Sequence, residues 1–530
     1  MEEQIDFFLQ DEIEREKDDG NIEYKRELLN LDEDTIHKRM TQMKYRIYEG
    51  NGEALYFIGV GDDGKLLGLN KDEYEISIQN LELIARNIDC LIIKICESSK
   101  NEYYIGEFLI RENSKEHIEI KIAVAGNVDS GKSTTIGVLV KGILDDGRGK
   151  ARTSVFNYKH EIDTGRTSSI GHQNMMFNKD GNIINTKLDK SEISKCINFY
   201  DLAGHEKYLR TTIYGLTSLY PDYCLIMIGA NMGINHMTRE HIGLCINLKI
   251  PFIIIVTKID MVPSNVLEET MTKINNICKN RIKKIPYNIK NMSDIVNVIK
   301  NIKSDSIVPV IQISNITNYN LDLLKSLFHL LPLRNDYNQY INKNVEFLID
   351  NTYSVTGHST IVSGMVKSGT IKVNDTLLIG PFYDSSYRSI KVRSIHINYK
   401  NINEAKAGTY ICISLKNVLR REIKKGMILI TDDNSMKLAV RQFKAQIHIL
   451  HSPTTIKLGY SPFLHIDHVR QTAKIIDIEK ISSKDDDGIL RSGDKANVIL
   501  EFLMKPEYIK TGMRLIFREG KVKAVGKVIE

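Results

Sequence analysis

Hydrophobic positions along the 530-residue chain fall into three regimes. From about residue 20, Leu31 to Ile47 reads as a helix, and Ala54 to Leu69 as two strands around the turn Asp62-Asp63-Gly64-Lys65. Ile78, Leu81, Ile84, Ala85 and Ile88 then recur at helical spacing, ahead of strands at Leu91–Ile95 and Tyr103–Ile110. From Ile120 the pattern changes. Short apolar strands (Ile120–Ala125, Cys196–Tyr200, Tyr223–Gly229, Phe252–Val256, Val308–Ile313) alternate with longer helical stretches, which predicts a parallel sheet flanked by helices. After Leu331-Pro332 a polar stretch, Leu333 to Lys343, reads as a linker. Beyond it come strand-period segments with turns at Ser368-Gly369, Val373-Asn374-Asp375, Ala407-Gly408 and Lys425-Gly426, the spacing of small antiparallel barrels.

The expected layout is a tail (1–19), an α+β accessory module (20–116), an α/β nucleotide-binding domain (117–334), and two antiparallel β-barrels (340–433 and 436–530). The tail holds nine acidic residues against Arg15 and Lys17 and reads as solvated or weakly helical. The helical run Lys273 to Lys303, basic and Asn-rich, reads as surface.

Composition narrows the class. Apolar and charged fractions of 42% and 26% are those of ordinary globular proteins. No run approaches the ~18–20 apolar residues of a membrane span, and the first residues are acidic where a signal peptide is basic. Seven cysteines without a C-x-x-C pair argue for a reducing compartment, so a cytoplasmic location and no membrane partner are expected. A net charge of +5 does not by itself select a nucleic-acid partner.

The candidate chemistry lies at strand ends, where ligands of parallel α/β sheets bind. Gly126-Asn127-Val128-Asp129-Ser130-Gly131-Lys132-Ser133, followed by Thr134, fits G-x-x-x-x-G-K-[ST] between a strand and a helix. Its glycines let backbone N–H groups wrap phosphates, Lys132 reaches the β- and γ-phosphates, and the Ser133 hydroxyl holds Mg²⁺. Asp201-Leu202-Ala203-Gly204 closes the next strand: the carboxylate holds Mg²⁺ through a water and the Gly204 amide senses the γ-phosphate. Thr257-Lys258-Ile259-Asp260 closes another. An Asp260 carboxylate accepts from N1–H and N2–H₂ of guanine, whereas adenine leaves it unpaired, and such mismatches cost ~10⁴–10⁵ in specificity. Taken alone, each motif has a plainer reading, a glycine turn or a charged helix cap; their succession favours GTP. Ser314-Asn315-Ile316, the least specific, is placed for a last backbone contact to the base.

With these motifs in order, residues 120–334 resemble the G domain of translational GTPases of the elongation factor Tu class. The signature includes Asp201-Leu202-Ala203-Gly204-His205-Glu206-Lys207-Tyr208 and Thr238-Arg239-Glu240-His241. Gly165-Arg166-Thr167-Ser168-Ser169-Ile170-Gly171-His172, the stretch His465 to Ala473 and the N-terminal module resemble the GTP-binding protein 1/2 branch in particular, over roughly residues 20–530. The resemblance implies that His205 positions the attacking water. It also implies that Ser169 completes the Mg²⁺ shell, that Val128, with Ile170 or a neighbour opposite, restrains His205, and that Lys258 and Asp260 bind the base. Three features depart from the pattern. Thr167-Ser168-Ser169 stands where elongation factors have Gly-Ile-Thr, which leaves Thr167 and Ser168 open as the ligand. Thr257 replaces an asparagine whose amide would brace the phosphate loop, which is expected to weaken nucleotide affinity. Asn178–Ser194 reads as an extended hairpin or mobile loop.

Two further clusters carry less. His448, His451, His465 and His468 form two H-x-x-H pairs, but residues three apart on a strand face opposite ways, so no zinc site is expected. Arg388, Lys391, Arg393, Lys400, Lys406, Lys416, Arg420, Arg421, Lys424 and Lys425 read as a solvated face or as contacts to an RNA backbone. The expectation is a slow GTPase switch with GTP and Mg²⁺, acting with tRNA, the ribosome or another RNA. The competing expectation is a GTP-dependent adaptor in RNA turnover or ribosome surveillance, recruiting a protein partner through its N-terminal module without delivering tRNA.

Overall fold

The computed structural model describes residues 13, 15–17, 19–50, 52–112, 118–156, 161, 167–178, 181–184, 193–353, 360–397, 400–416, 418–481, 488–520 and 522–530. Residues up to Leu209 and from Pro221 to Asn335 form one compact unit; Arg210–Tyr220 and Asp336–Glu530 form another.

The first unit opens with a four-stranded sheet, β1 (Ile22–Lys25), β2 (Glu53–Ile58), β3 (Cys90–Lys100) and β4 (Tyr103–Glu112), in the order β1-β2-β4-β3. Its helices, Glu33–Glu49 and Lys71–Asn87, start on Asp32 and Asn70, whose side chains accept from Thr35 N and Glu73 N. Side-chain alternation divides each strand between two cores. Ala54, Tyr56, Ile58, Phe108 and Ile110 pack under these helices, while Leu55, Phe57, Ile105 and Leu109 join the core of the G domain. Both faces of the module's sheet are therefore covered.

Three expectations are corrected here. Ala54–Leu69 holds one strand, not two: beyond Ile58 only an isolated bridge, Val60 to Leu66, forms. Of the acidic tail, most lies outside the described residues, yet Glu16 is held by Arg46 at 2.5 Å and accepts from Tyr24 N, so this end of it is anchored. The basic run Lys273 to Lys303 is interrupted by a strand, Ile285–Ile289.

The G-domain sheet contains β5 (Ile118–Gly126), β6 (Gly171–Phe177), β7 (Ile183–Ile184), β8 (Lys195–Asp201), β9 (Tyr223–Gly229), β10 (Phe252–Thr257), β11 (Ile285–Ile289) and β12 (Ile307–Gln312). Its order is β11-β12-β10-β9-β5-β8-β6-β7. The five expected strands are present and mutually parallel, and β6 adds an antiparallel edge along β8, with Gly171 opposite Asp201. Within Asn178–Ser194, β7 pairs with β6, and the rest of that stretch is only partly described. The expected linker is ordered: Asn335 donates to Asp222 and Asn338–Tyr340 forms a turn of 3-10 helix.

In the second unit, β13 (Glu346–Tyr353), β14 (Thr360–Ser368), β16 (Thr376–Gly380), β17 (Arg388–Ile397), β20 (Tyr410–Lys416) and β21 (Ile428–Ile430) close a ring through the pairing of β16 with β17, while β15 (Thr370–Lys372) pairs with β19 (Glu404–Lys406) and β18 (Lys400–Ile402) with β17. The second barrel joins β22 (Gln442–His451), β25 (Lys495–Phe502), β24 (Val469–Lys480), β23 (Phe463–Ile466), β26 (Arg514–Glu519) and β27 (Val522–Val528). Segment 210–220 groups with the barrels: the Tyr214 hydroxyl donates to Asp350 at 2.6 Å, and Arg470 lies 4.3 Å over the Tyr214 ring. His468 sits in the turn between β23 and β24, so strand alternation does not govern the pair His465 and His468, and both are buried. Among the described residues no cluster of three or more His, Cys, Asp or Glu side chains is placed to hold a metal. No described helix is long and apolar enough to cross a membrane.

Candidate nucleotide site

Gly126 ends β5 and Gly131 caps the helix Lys132–Lys141 at φ +84, a left-handed conformation that glycine adopts without strain. The turn between them aims the first N–H groups of that helix at one point, an arrangement that favours phosphate. The Lys132 ammonium is folded over the loop, donating to Asn127 O at 2.7 Å and Gly126 O at 3.2 Å. A Cβ at Gly204 would lie 2.5 Å from that ammonium and 2.7 Å from Gly126 O, so the turn after β8 passes the phosphate loop as closely as backbone can. Burial lowers the Lys132 pKa and raises that of Asp201, and each charge partly offsets the other's shift.

Asp201 is the last residue of β8. Its Oδ2 accepts from the Ser133 hydroxyl at 2.5 Å and from Thr167 at 3.3 Å, and the two hydroxyls are 3.0 Å apart. Asp201 Oδ1 is buried with no hydrogen-bond partner. Ser169, the expected metal ligand, is elsewhere. Ser168 and Ser169 both donate, through backbone N–H and hydroxyl, to Oε1 of Glu161 at 2.8–3.1 Å. The structure thus puts Thr167, not Ser169, beside Ser133 and Asp201. Glu161 escaped sequence reading because a lone glutamate among polar residues carries no pattern.

Thr257 closes β10, two strands from β5. Its hydroxyl donates to Ser130 O at 2.9 Å, which ties the segment Thr257–Asp260 directly to the phosphate loop. The loss of bracing expected at this position is corrected: a hydroxyl does the work of the amide. Lys258 follows at φ +60, half-buried, and Asp260 stands exposed in the turn Ile259–Met261. After β12, the Ser314 hydroxyl accepts from Ile316 N and Thr317 N, and Asn315 donates to Thr135 at 2.9 Å. The Asn315 carbonyl also accepts from Asp145 N, and Asp145 in turn holds the N–H groups of Gly147, Gly149 and Ala151. Asp145 is a support that sequence reading missed; its D-x-G spacing was the available signal. Val128 and Ile170 are both half-buried.

His205 is half-buried at the start of the turn Glu206–Tyr208, and its Nδ1 accepts from Lys207 N at 3.1 Å. An imidazole that accepts at Nδ1 carries its proton at Nε2 when neutral, so the ring's other edge is a donor.

Comparison with known proteins fits this geometry. Residues 117–333 match the elongation factor Tu GTP binding domain, 359–430 its domain 2 and 437–530 its C-terminal domain. The chain is 40% identical to GTP-binding protein 1 of Xenopus laevis over 92% of its own length and 75% of that protein's. It is 38% identical to GTP-binding protein 2 of Homo sapiens, over 97% and 87%. It is 28% identical to elongation factor 1-alpha of Pyrococcus horikoshii over 75% and 88%. The elongation factor SelB of Methanococcus maripaludis, solved with the GTP analogue GppNHp, shares the fold with a TM-score of 0.57 at 20% identity, over 79% of this chain and 80% of that one. The chain belongs to the GTP-binding protein 1/2 family of elongation factor Tu-like GTPases, and it binds and hydrolyses GTP.

Proposed function

We propose that the chain is a GTP-driven switch that acts on an RNA, with tRNA or the ribosome as the partner that triggers it. The convergence of Ser133, Thr167 and Asp201, beside a lysine that spans the phosphate loop, carries the switch part of this reading. Their oxygens, with the unpartnered Asp201 Oδ1, suit a hard cation: Mg²⁺ would take the Ser133 and Thr167 hydroxyls, with Asp201 behind them. When bound, Mg²⁺ neutralises charge on the β- and γ-phosphate oxygens.

The protein's own groups do the rest. Lys132 leaves the loop carbonyls for the phosphates, and the helix Lys132–Lys141 turns its free N–H groups on them. Thr167 can reach its ligand position only while its loop is ordered, which couples the loop to the γ-phosphate. Asp260 and Lys258 hold guanine. His205 Nε2–H donates to the attacking water and holds it in line; the water oxygen bonds to the γ-phosphorus as the bond to the β-phosphate oxygen breaks, and the water's proton passes to a γ-phosphate oxygen, giving GDP and phosphate.

The RNA part rests on the first barrel. Lys391 and Lys416 lie directly opposite one another on β17 and β20, and Arg393 is exposed nearby, with Arg420, Arg421, Lys424 and Lys425 on the following segment. Like charges facing across a ladder repel, a cost that polyanion binding reverses. GTP turnover measured with ribosomes, with tRNA and with neither tests the reading, and stimulation by one RNA partner is expected. His205→Ala should abolish that stimulation and leave GTP affinity within a few-fold. Replacing Lys391, Arg393 and Lys416 together should lower the salt slope of RNA binding by about 2. Turnover indifferent to every RNA would favour the adaptor reading instead.

A further inference from the structure

Four hydrogen-bond donors converge on one carboxylate oxygen in the segment that precedes β6. Glu161 Oε1 receives the N–H and hydroxyl of Ser168 at 2.8 and 2.9 Å, and those of Ser169 at 3.1 Å each. Glu161 is 1% exposed. Successive backbone N–H groups aimed at a single anion form a concavity that holds it firmly, and the two hydroxyls complete it. The protons of both serine hydroxyls are spent there. Thr167, the next residue back, carries the hydroxyl that stands 3.0 Å from Ser133 and 3.3 Å from Asp201.

We propose that Glu161 is a positioning residue for GTP hydrolysis: by drawing Ser168 and Ser169 onto its own carboxylate, it turns Thr167 toward Ser133 and Asp201. The inference rests on the reading of Thr167 as the switch ligand. It accounts for the sequence Thr167-Ser168-Ser169, in which three hydroxyl residues have two different tasks. A switch loop fixed at two consecutive residues has little conformational freedom left at the third, so ordering the ligand costs less entropy when nucleotide arrives. Glu161 acts through the loop.

The test uses the full chain and a fluorescent, non-hydrolysable GTP analogue, with its release followed as a function of Mg²⁺ concentration. Groups that orient a metal's ligands change metal affinity by about 10- to 100-fold when removed. Glu161→Ala should therefore raise the Mg²⁺ concentration that half-maximally slows release by about 10-fold, and lower kcat more than it changes KM for GTP. Glu161→Gln keeps an acceptor oxygen and should recover part of both effects. A Ser168→Ala, Ser169→Ala double variant keeps the two backbone donors and should fall between Glu161→Gln and Glu161→Ala. Thr167→Ala should show the largest Mg²⁺ effect. If Thr167→Ala leaves the Mg²⁺ dependence unchanged, the ligand reading itself fails. A shifted Thr167→Ala beside wild-type behaviour in Glu161→Ala, or in Glu161→Gln and the serine double variant should Glu161→Ala not fold, overturns the present inference alone.

Discussion

Thr257 shows how a substitution inside a motif keeps its function. The side chain that replaces the usual amide is shorter, yet the close approach of Gly131, whose Cβ would lie 3.3 Å from the Thr257 hydroxyl, brings the loop to it. Removing that hydroxyl leaves Ser130 O without a donor in a buried site, a cost of about 1–3 kcal/mol. Thr257→Val should lower the unfolding free energy by about 1–3 kcal/mol in urea unfolding, and weaken GDP binding in a fluorescence titration because the phosphate loop is no longer braced. Asp260→Ala belongs to the same scale: it should erase most of the preference for GTP over ATP, read by competition between the two nucleotides. The motifs themselves were legible because each needs fixed residue types at fixed spacing. Which hydroxyl stands beside Ser133 and Asp201 was not: three adjacent hydroxyl residues look alike in sequence, and Ser168 and Ser169 turn instead to Glu161.

At the scale of elements, the strands that could be read were those buried on both faces, such as Ile118–Gly126 and Phe252–Thr257. Gly171–Phe177 (GHQNMMF) escaped because its first half is polar, and Ile22–Lys25 because two of its four residues are charged. Those charges are buried as partners: Glu23 is fully buried between Lys25 and Arg46. The same device closes the seam between the N-terminal module and the G domain. Arg111 of β4 donates to Glu53 of β2 at 2.7 Å, to the Ser194 hydroxyl at 3.1 Å and to His329 O at 3.4 Å. Lys195, the first residue of β8, is fully buried and donates to His329 O and Leu331 O, 3.6 Å from Glu53. Breaking a buried pair on one side leaves an uncompensated charge, at a cost of about 3–5 kcal/mol. Arg111→Ala should therefore lower the melting temperature of module and G domain together, as one transition in calorimetry. If only the module melted early, the two would be energetically separate.

For the whole molecule, acid sensitivity should lie in histidines buried neutral: His329 in the first unit, lowered to about 2, and His465 and His468 in the second barrel. Burial pushes His465 down to about 3 and His468 down to about 4, so both are neutral in the folded state while the unfolded chain protonates them near 6.5. Between those values the unfolded state binds more protons, so this contribution is present above pH 6.5 and is lost as pH falls toward 4 and 3. For His468 alone it amounts to about 3 kcal/mol. Glu507, raised to about 7 by burial, works in the opposite direction, so the informative quantity is a difference. His468→Gln should lose less stability than the parent between pH 7 and pH 4.5 in urea unfolding. Parallel losses in the two proteins would remove His468 from the account.

The module's sheet has no free face: one side lies under its own helices and the other within the G-domain core. An enzyme domain assembled this way borrows part of its interior from residues translated before it. Two separately expressed pieces, 1–112 and 118–530, should find each other and restore GTP turnover, whereas the longer piece alone would carry a bare apolar wall and aggregate. In this chain the accessory module is less an appendage than a part of the catalytic domain's own interior.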